Sequence, residues 1–477
     1  GNLTTGSKLV DLNFKIPSFR NGIDKYAFIH ALNEDKLLAL KWLLYLRDVR
    51  EGVGERKSFR EFVVALVDYD LEIANTFIEG AEYGRWDDYV DIAYRVQNDF
   101  IRNLILHKID TQFAQDMQNM DDGKPVSLLA KWLPSVNASS KETKGKAKMI
   151  CRYLQFTERD YRRTLSELRA YIDVVERKMS ANKWGEVSYE GVPSKANVLY
   201  KNAFSRHDEE RRNEYLESLK SGNAKINANA MFLHDIVQAY HPYRVDDTLE
   251  EMWKAQKKCD GFENTLVVRD GSGSMTCSVG NSGVTALTVA TAITLYCAEN
   301  NSGEFHNKFI TFGSRPKLCD ISGLKTLRDK LDYSYREADC SSTDIEKTFK
   351  LILNTAIENN IPQEDMPKTV LIVSDMEFNA AQGYYGERNN SHLFKGIQRD
   401  FEGHGYKMPK LVFWNVNSRT NTIPITENEN GVVLMGGFSK NLLQMAMSSE
   451  TDLYKVLVAQ LNKPRYEIID KIFKNRA

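Results

Sequence analysis

Long hydrophobic segments are absent from this chain. No run of about 18 apolar residues occurs among its 477 residues, so the sequence contains no candidate for a membrane-spanning helix. No secretory hydrophobic region occurs near its first residue either. We therefore expect a cytoplasmic protein with no membrane partner.

Cysteine is also sparse. The six cysteines are scattered and form no Cys-x-x-Cys pair; they are Cys151, Cys259, Cys277, Cys297, Cys319 and Cys340. A disulfide framework is not expected in so long a chain, and a reducing compartment fits this use of cysteine. Several of the six lie in apolar runs, where cysteine acts as a small hydrophobic residue.

The sequence has neither a strong charge of one sign nor a common catalytic motif. Its formal net charge is −1, so any binding of nucleic acid must come from a local basic patch. It contains no Gly-x-x-x-x-Gly-Lys-Ser/Thr phosphate loop and no His-Glu-x-x-His zinc motif. We predict that the protein is not an enzyme.

What is present divides the chain into two parts. Residues 12–250 place apolar residues at helical spacing, in short segments separated by Gly, Asn or Asp turns. From residue 265 onward, short apolar runs alternate with helical patterns, which is typical of a doubly wound sheet. The predicted fold class is therefore α plus α/β. The predicted domains are a helical-repeat domain over 8–255, a Rossmann-like domain over 262–450, and C-terminal helices over 451–477 that pack on either domain.

Individual elements of the second part can be assigned from the same patterns. The predicted strands are Thr265–Asp270, Lys308–Phe312, Thr369–Asp375, Lys410–Asn415 and Gly431–Gly436. The predicted helices are Ala286–Asn300, Thr343–Ile357, Asn441–Met447 and Leu453–Phe473.

Three oxygen-bearing segments accompany these elements. Asp270, Ser272 and Ser274 form an Asp-x-Ser-x-Ser motif after the first strand, Thr343 lies in a Ser-Ser-Thr-Asp segment, and Asp375 ends a later strand. Ligands gather at the carboxyl ends of strands in open α/β sheets. Two carboxylates and three hydroxyls form the hard, oxygen-only site that Mg²⁺ prefers. The sequence predicts a Mg²⁺ site made by these five residues; the alternative is a loop that is merely rich in turn residues.

This ordered set of segments resembles the metal-ion-dependent adhesion site (MIDAS) of von Willebrand factor A domains. The resemblance implies direct coordination of the cation by Ser272, Ser274 and Thr343. It implies that Asp270 and Asp375 act mainly through water. It also implies a Mg²⁺-dependent site for a protein partner.

Charge is uneven within the helical part. Residues 131–230 hold 20 Lys and Arg against 13 Asp and Glu, a net charge of +7. This span contains a basic segment, Lys141–Lys148, which we predict to be a loop, followed by an amphipathic helical region over Ile150–Lys178. Basic residues interleave here with Trp184, Tyr189, Tyr200 and Phe204, a pattern suited to phosphate contacts and base stacking. The alternatives are a solvated charged face and aromatic residues that belong to the core.

Short motifs in the helical part resemble the TROVE module of Ro autoantigen and bacterial Ro-like proteins. They are Tyr45–Lys57, Gly84-Arg-Trp-Asp-Asp88, Val192-Pro-Ser-Lys195, Phe204 and His234-Asp235. The chain looks closest to an uncharacterised plant, bacterial and phage branch of that group. The resemblance implies a ring of HEAT-like helical repeats joined to an A domain.

The resemblance implies an RNA-binding scaffold, a ribonucleoprotein component that holds small non-coding or single-stranded RNA and recruits a partner through Mg²⁺. We expect a monomer. The predicted RNA-binding residues are Lys144, Lys146, Lys148, Arg162, Arg163, Lys195, Lys201 and Arg206. The alternative function is a metal-dependent protein–protein adaptor that binds no RNA, and a third is a metal-dependent phosphodiesterase.

Overall fold

The computed structural model describes residues 6–81, 84–172, 174–228, 231–256, 258, 263–279, 283–338, 344–375, 387–416, 426–427, 433–436 and 453–474. The chain forms two compact units. Residues 19–187 and 458–477 make the helical unit, and residues 1–18 and 188–457 make the sheet unit. This division differs from the predicted boundary near residue 255, because residues 188–255 belong to the sheet unit. Residues 458–477 belong to the helical unit, which is one of the two positions predicted for the C-terminal helices. Within the described ranges, no helix combines the length and apolarity needed to cross a membrane.

The α-helices of the helical unit between residues 25 and 180 are from 4 to 23 residues long. They are α2 (Lys25–Glu34), α3 (Lys36–Arg47), α4 (Lys57–Tyr69), α5 (Leu71–Gly80), α6 (Trp86–Arg95), α7 (Asp99–Asp121), α8 (Leu129–Trp132), α9 (Lys141–Tyr153), α10 (Glu158–Tyr171) and α11 (Val175–Ser180). The basic segment predicted as a loop is thus helix α9. The predicted amphipathic region breaks after Leu154, where Gln155 takes a φ of 57°, and resumes as α10.

Single aspartates join consecutive helices of this unit. Asp35 ends α2 and caps α3, where its side chain accepts from Leu38 N–H at 3.0 Å. Asp70 does the same between α4 and α5, accepting from Ile73 N–H at 3.0 Å. An aspartate at this position satisfies an N–H group that the helix itself leaves unpaired. Two tight helical pairs result, which is why short turns separate the apolar segments in the sequence.

A buried ionic network links α3, α4 and α6. Asp88 is fully buried and accepts from Arg47 Nε at 2.8 Å, from Arg60 Nε at 2.7 Å and from Arg85 N–H at 2.8 Å. Gly84 precedes this cluster with a φ of +104°, and a Cβ there would lie 2.8 Å from Asp88 Oδ2. The Gly84-Arg-Trp-Asp-Asp88 motif therefore contributes to the packing of the helical unit.

Residues 458–474 pack against the first helices of the helical unit. The described residues from 458 onward are the end of α20 (Leu453–Leu461), a 3₁₀ turn, and α21 (Ile468–Lys474). Arg465 binds buried Asp48 through two hydrogen bonds of 2.8 and 2.7 Å, and Tyr466 Oη donates to Asp48 at 2.9 Å. Lys41 forms an ion pair with Asp470 at 2.7 Å. We call these contacts the C-terminal clasp.

The sheet unit contains a seven-stranded sheet of order β3-β2-β1-β4-β5-β7-β6. The strands are β1 (Thr265–Asp270), β2 (Lys308–Phe312), β3 (Leu318–Asp320), β4 (Thr369–Ser374), β5 (Lys410–Asn415), β6 (Thr426–Glu427) and β7 (Val433–Gly436). The central five are parallel, while β3 and β6 pair antiparallel at the edges. The predicted strands match β1, β2, β4, β5 and β7. The short edge strands β3 and β6 were not predicted.

Helices cover the sheet. They include α16 (Ala286–Asn300), α17 (Leu327–Arg336), α18 (Ile345–Glu358) and α19 (Glu387–Gly403). The predicted helix Leu453–Phe473 is divided between α20 and α21. The predicted helix Asn441–Met447 lies outside the described residues.

The remaining helices of the sheet unit precede β1. They are α1 (Lys8–Phe14), α12 (Ser194–His207), α13 (Glu209–Lys220), α14 (Leu233–Gln238) and α15 (Asp247–Lys254). Glu250 of α15 accepts from the first N–H groups of α17, Leu327 at 2.8 Å and Arg328 at 3.2 Å. Trp253 Nε1 donates to Glu299 of α16 at 2.8 Å. These polar contacts hold α15 to two of the helices that cover the sheet.

Candidate metal site and candidate RNA-binding face

Two of the three predicted metal segments lie where the sheet reverses its direction of winding. Strand β1 lies between β2 and β4, so the connections that follow β1 and β4 leave toward opposite sides. Asp270 ends β1, and Asp375 directly follows β4. Such a switch point is the usual ligand site of doubly wound sheets.

Buried Asp270 is held by two hydrogen bonds. Its Oδ1 accepts from Ser272 N–H at 2.8 Å, and its Oδ2 accepts from Ser374 Oγ at 2.6 Å. The carboxylate is fully shielded from solvent. Asp270 therefore orients the loop that carries Ser272 and Ser274, while its own carboxylate remains buried.

Three side-chain oxygens contact one another in succession, and we call them the oxygen row. Ser272 Oγ lies 3.0 Å from Ser274 Oγ, which donates to Asp375 Oδ1 at 3.0 Å. Neighbouring ligands of an octahedral Mg²⁺ with bonds of 2.0–2.1 Å are about 2.9 Å apart. Each of the two distances in this row is therefore close to the distance between neighbouring ligands of a bound Mg²⁺. The residues brought together by the fold suit the cation by oxygen chemistry and by distance.

Thr343, the fifth predicted ligand, lies outside the described residues. No group of three or more His, Cys, Asp or Glu side chains arranged for a metal occurs in the part of the chain that the structure describes. The four predicted ligands that are described include only two acids, and the rest are serines.

Two residues that hold the site were not identified from the sequence. Ser374 donates to Asp270, and Met275 Sδ accepts from Asp375 N–H at 3.2 Å. Met275 is fully buried and so ties the loop after β1 to the loop after β4. The sequence offers a signal for Ser374, because it lies in a predicted strand and directly precedes Asp375.

Arg269 lies beside this site on β1 and is completely buried. Its guanidinium donates to Ser334 Oγ and to the Ser334 carbonyl, both at 2.6 Å. Burial lowers the pKa of Arg269 from its ordinary value. No carboxylate forms an ion pair with it among the described residues, so its positive charge remains next to Asp270 of the candidate site.

The predicted RNA-binding residues are divided between the two units. Lys144, Lys146, Lys148, Arg162 and Arg163 belong to the helical unit, whereas Lys195, Lys201 and Arg206 belong to the sheet unit. The predicted basic span therefore contributes residues to both units.

Helix α9 presents a basic stripe to solvent. Lys141, Lys144, Lys148 and Arg152 recur every three or four residues and are all exposed, which places them on one side of the helix. Helix α10, which packs against α9, adds exposed residues Arg159, Arg162 and Arg163. We call these seven residues the basic face. Glu158 approaches Lys148 at 3.5 Å and Glu167 approaches Arg163 at 3.9 Å, both as exposed pairs.

Two of the predicted RNA-binding lysines have structural partners instead. Lys146 binds Asp91 at 2.7 Å and Glu142 at 2.6 Å, with 16% of its side chain exposed. Burial alone would lower the pKa of Lys146, but the hydrogen bonds to both acids outweigh it and raise the pKa. Lys201 is paired in the same way with Asp246. These lysines are less accessible to phosphate than Lys144 or Lys148.

Two of the four interleaved aromatic residues belong to the core. Tyr189 and Phe204 are buried and pack around the guanidinium of Arg212, at 4.9 and 5.0 Å from the ring centroids. Arg212 is itself fully buried and donates to Asn197 at 3.0 Å and to Thr248 at 2.9 Å. Tyr189 and Phe204 are therefore not available for base stacking. Trp184 and Tyr200 are partly exposed.

Comparisons relate most of the chain to proteins without an assigned function. Residues 264–465 match a family described as a domain of unknown function, DUF7788, and residues 91–267 match another, DUF2828. The chain is 29% identical to uncharacterized protein L728 of Acanthamoeba polyphaga mimivirus over 491 residues, covering 94% of this chain and 83% of that protein. It is also similar to the crystal structure of Deinococcus radiodurans RO (RSR) protein, with 11% identity, a TM-score of 0.36, and coverage of 96% of this chain and 93% of that chain.

Proposed function

We propose that this protein is an RNA-binding scaffold with a Mg²⁺-dependent site for a protein partner. The observation that carries the metal half is the row of Ser272, Ser274 and Asp375 oxygens at 3.0 Å spacing, at the switch point of the sheet. The observation that carries the RNA half is the basic face on α9 and α10. Binding, and not catalysis, is assigned to both.

At the metal site, Ser272, Ser274 and Asp375 would hold the cation. Thr343 is the further ligand that the A-domain resemblance implies. Asp270 keeps Ser272 in place through its backbone N–H, and Ser374 fixes Asp270 in turn. The cation, when bound, would supply a strong positive centre for an Asp or Glu carboxylate of a partner.

Calorimetry with MgCl₂ tests the metal half. Replacing Ser274 with alanine removes the middle oxygen of the row, and Asp270→Ala removes the support behind it. Both variants should lose Mg²⁺ binding, whereas the nearby exposed Ser278→Ala should keep the affinity of the parent. Unchanged Mg²⁺ affinity in Ser274→Ala and Asp270→Ala would leave the loop as a turn-rich segment without a metal.

A pull-down from cell extract tests the partner role. Proteins captured by the parent in Mg²⁺ should be released by a chelator and should be missing with Ser274→Ala. Identical captured proteins in all three conditions would refute metal-dependent recruitment.

The RNA half is supported by the exposure and alignment of the basic face. Its lysines and arginines can neutralise successive phosphates and release their counterions, so affinity falls as salt rises. The resemblance to Ro-like proteins in sequence motifs gives the ligand class, small or single-stranded RNA. A metal-dependent adaptor without RNA is the competing function.

Filter binding of single-stranded RNA across a salt series tests the RNA half. Each lost phosphate contact should reduce the slope of log affinity against log salt by about 0.7. Changing Lys141, Lys144, Lys148 and Arg152 to glutamine should therefore flatten the slope by roughly 2–3 units.

A matched control removes four charges from the sheet unit instead: Lys254, Lys317, Lys347 and Lys350, each more than half exposed and already paired with an acid. This variant should keep the parent's slope. If both four-residue variants behave like the parent, the basic face is only a solvated surface.

A further inference from the structure

A small cavity adjoins the basic face. Its volume is about 130 Å³, and it is lined by Ser135, Val136, Asn137, Tyr161, Arg162, Leu165 and Arg169. Four of these residues lie on α10 and three lie in the segment that leads into α9. Arg162 belongs both to the cavity lining and to the basic face.

The walls of the cavity are fixed by hydrogen bonds. Arg169 donates to the carbonyls of Ala130 and Leu133, both at 2.7 Å, and to Ser135 Oγ at 3.0 Å. Tyr161 Oη donates to the Pro134 carbonyl at 2.9 Å. The segment before α9 is thus held to α10 at several points. The cavity is therefore pre-formed, which lowers the entropic cost of filling it.

The lining has the chemistry of a ring-binding site. Val136, Leu165 and the buried ring of Tyr161 supply apolar walls. Asn137 is exposed and carries both an amide donor and a carbonyl acceptor, as the edge of a base requires. Arg162 is exposed and offers a planar cation on which a base can stack or to which a phosphate can bind.

The volume sets the size of the occupant. A cavity of about 150 Å³ holds one benzene molecule, whereas sites for drug-sized ligands are about 300–1,000 Å³. A cavity of about 130 Å³ accommodates one six-membered ring and is small for the fused rings of a purine.

We propose that this cavity receives a single pyrimidine base of an RNA strand whose phosphates lie on the basic face. The proposal rests on the proposed RNA-binding function and adds to it a site of base selection. Sequence-specific recognition of RNA uses unstacked bases that enter such sites, whereas phosphate contacts carry no sequence information. The basic face would then supply affinity, and the cavity would supply a preference for pyrimidines.

Binding of oligouridine and oligoadenine of equal length by the full chain tests this site. The parent should bind oligouridine roughly fivefold or more tightly, which is the discrimination expected from one well-placed contact to a base edge. Val136→Phe fills the cavity and should remove the preference while keeping the salt slope of the parent. Asn137→Ala, at an exposed position that does not threaten folding, should reduce the preference, and exposed Asn103→Ala on α7 should not.

The outcomes separate the cavity from the proposed function. If the parent binds neither strand, the RNA function fails and the cavity proposal fails with it. If the parent binds both strands equally, or if Val136→Phe and Asn137→Ala keep its preference, RNA binding stands and the cavity proposal is refuted.

Discussion

The C-terminal clasp allows a quantitative prediction for Tyr466→Phe. The phenol is fully buried, and its hydroxyl donates to Asp48, whose exposure is only 5%. A hydrogen bond to a charged group contributes about 1.5–3 kcal/mol. Asp48 would keep both bonds from Arg465 and one from Arg50 N–H. We therefore expect a loss at the lower end, about 1.5 kcal/mol.

Arg465→Met should cost more than Tyr466→Phe. It removes both charged hydrogen bonds and leaves the Asp48 carboxylate buried without its cation. Breaking a buried ion pair costs about 3–5 kcal/mol, and the 27% exposure of the Arg465 side chain places the expected loss near the lower limit.

Hydrogen exchange of peptides from α3 is the appropriate measurement, because it reports opening of the helical unit separately from the sheet unit. The matched control is Tyr26→Phe, since Tyr26 is 78% exposed and loses a hydroxyl without disturbing a buried contact. If the free energy of opening of α3 in Tyr466→Phe lies within about 0.5 kcal/mol of its value in the control, the reasoning about the clasp is wrong.

Three other predictions concern ionisable groups. Burial by itself would raise the pKa of Asp48, but its hydrogen bonds outweigh burial and hold the pKa below its ordinary value. The stability that this group contributes is therefore present above its unfolded pKa and is lost as pH falls through its folded pKa. Hydrogen exchange of α3 measured over a series of acidic pH values should show this loss. Lys144→Met should weaken RNA binding without changing the melting temperature, whereas Lys146→Met should lower the melting temperature because buried Asp91 loses a partner. Glu250→Ala should destabilise the sheet unit by about 1–3 kcal/mol in urea unfolding, because two N–H groups of α17 lose their acceptor.

The central sheet and the two acids at its strand ends were predictable because parallel strands are covered on both faces. Each of β1, β2, β4 and β5 is a nearly continuous apolar run, and such runs stand out in a sequence. The positions of Asp270 and Asp375 at strand ends followed directly. The edge strands β3 and β6 have only three and two residues, too few to show a pattern.

Helix α9 and the C-terminal clasp could not be predicted, for different reasons. Only Ala147, Ile150 and Cys151 of α9 are buried. Its apolar stripe is therefore too weak to recognise in a sequence dominated by lysines and containing Gly145. The clasp joins Asp48 to Arg465, which are 417 residues apart, and no local pattern specifies that pairing. The Tyr45–Lys57 motif around Asp48 carries a family resemblance in the sequence, whereas its physical role depends on the contacts of Asp48 with Arg465 and Tyr466.

The discontinuity of the helical unit has a consequence for synthesis on the ribosome. After residue 187 has been made, about 270 further residues must be added before the segment 458–477 begins. At about 5–20 residues per second this takes roughly 14–54 s. Throughout that interval the nascent helical unit lacks Arg465 and Tyr466, and Asp48 has no cation from the clasp. The unit completes its folding only after the sheet has been translated, so chaperones have a long period in which to bind it.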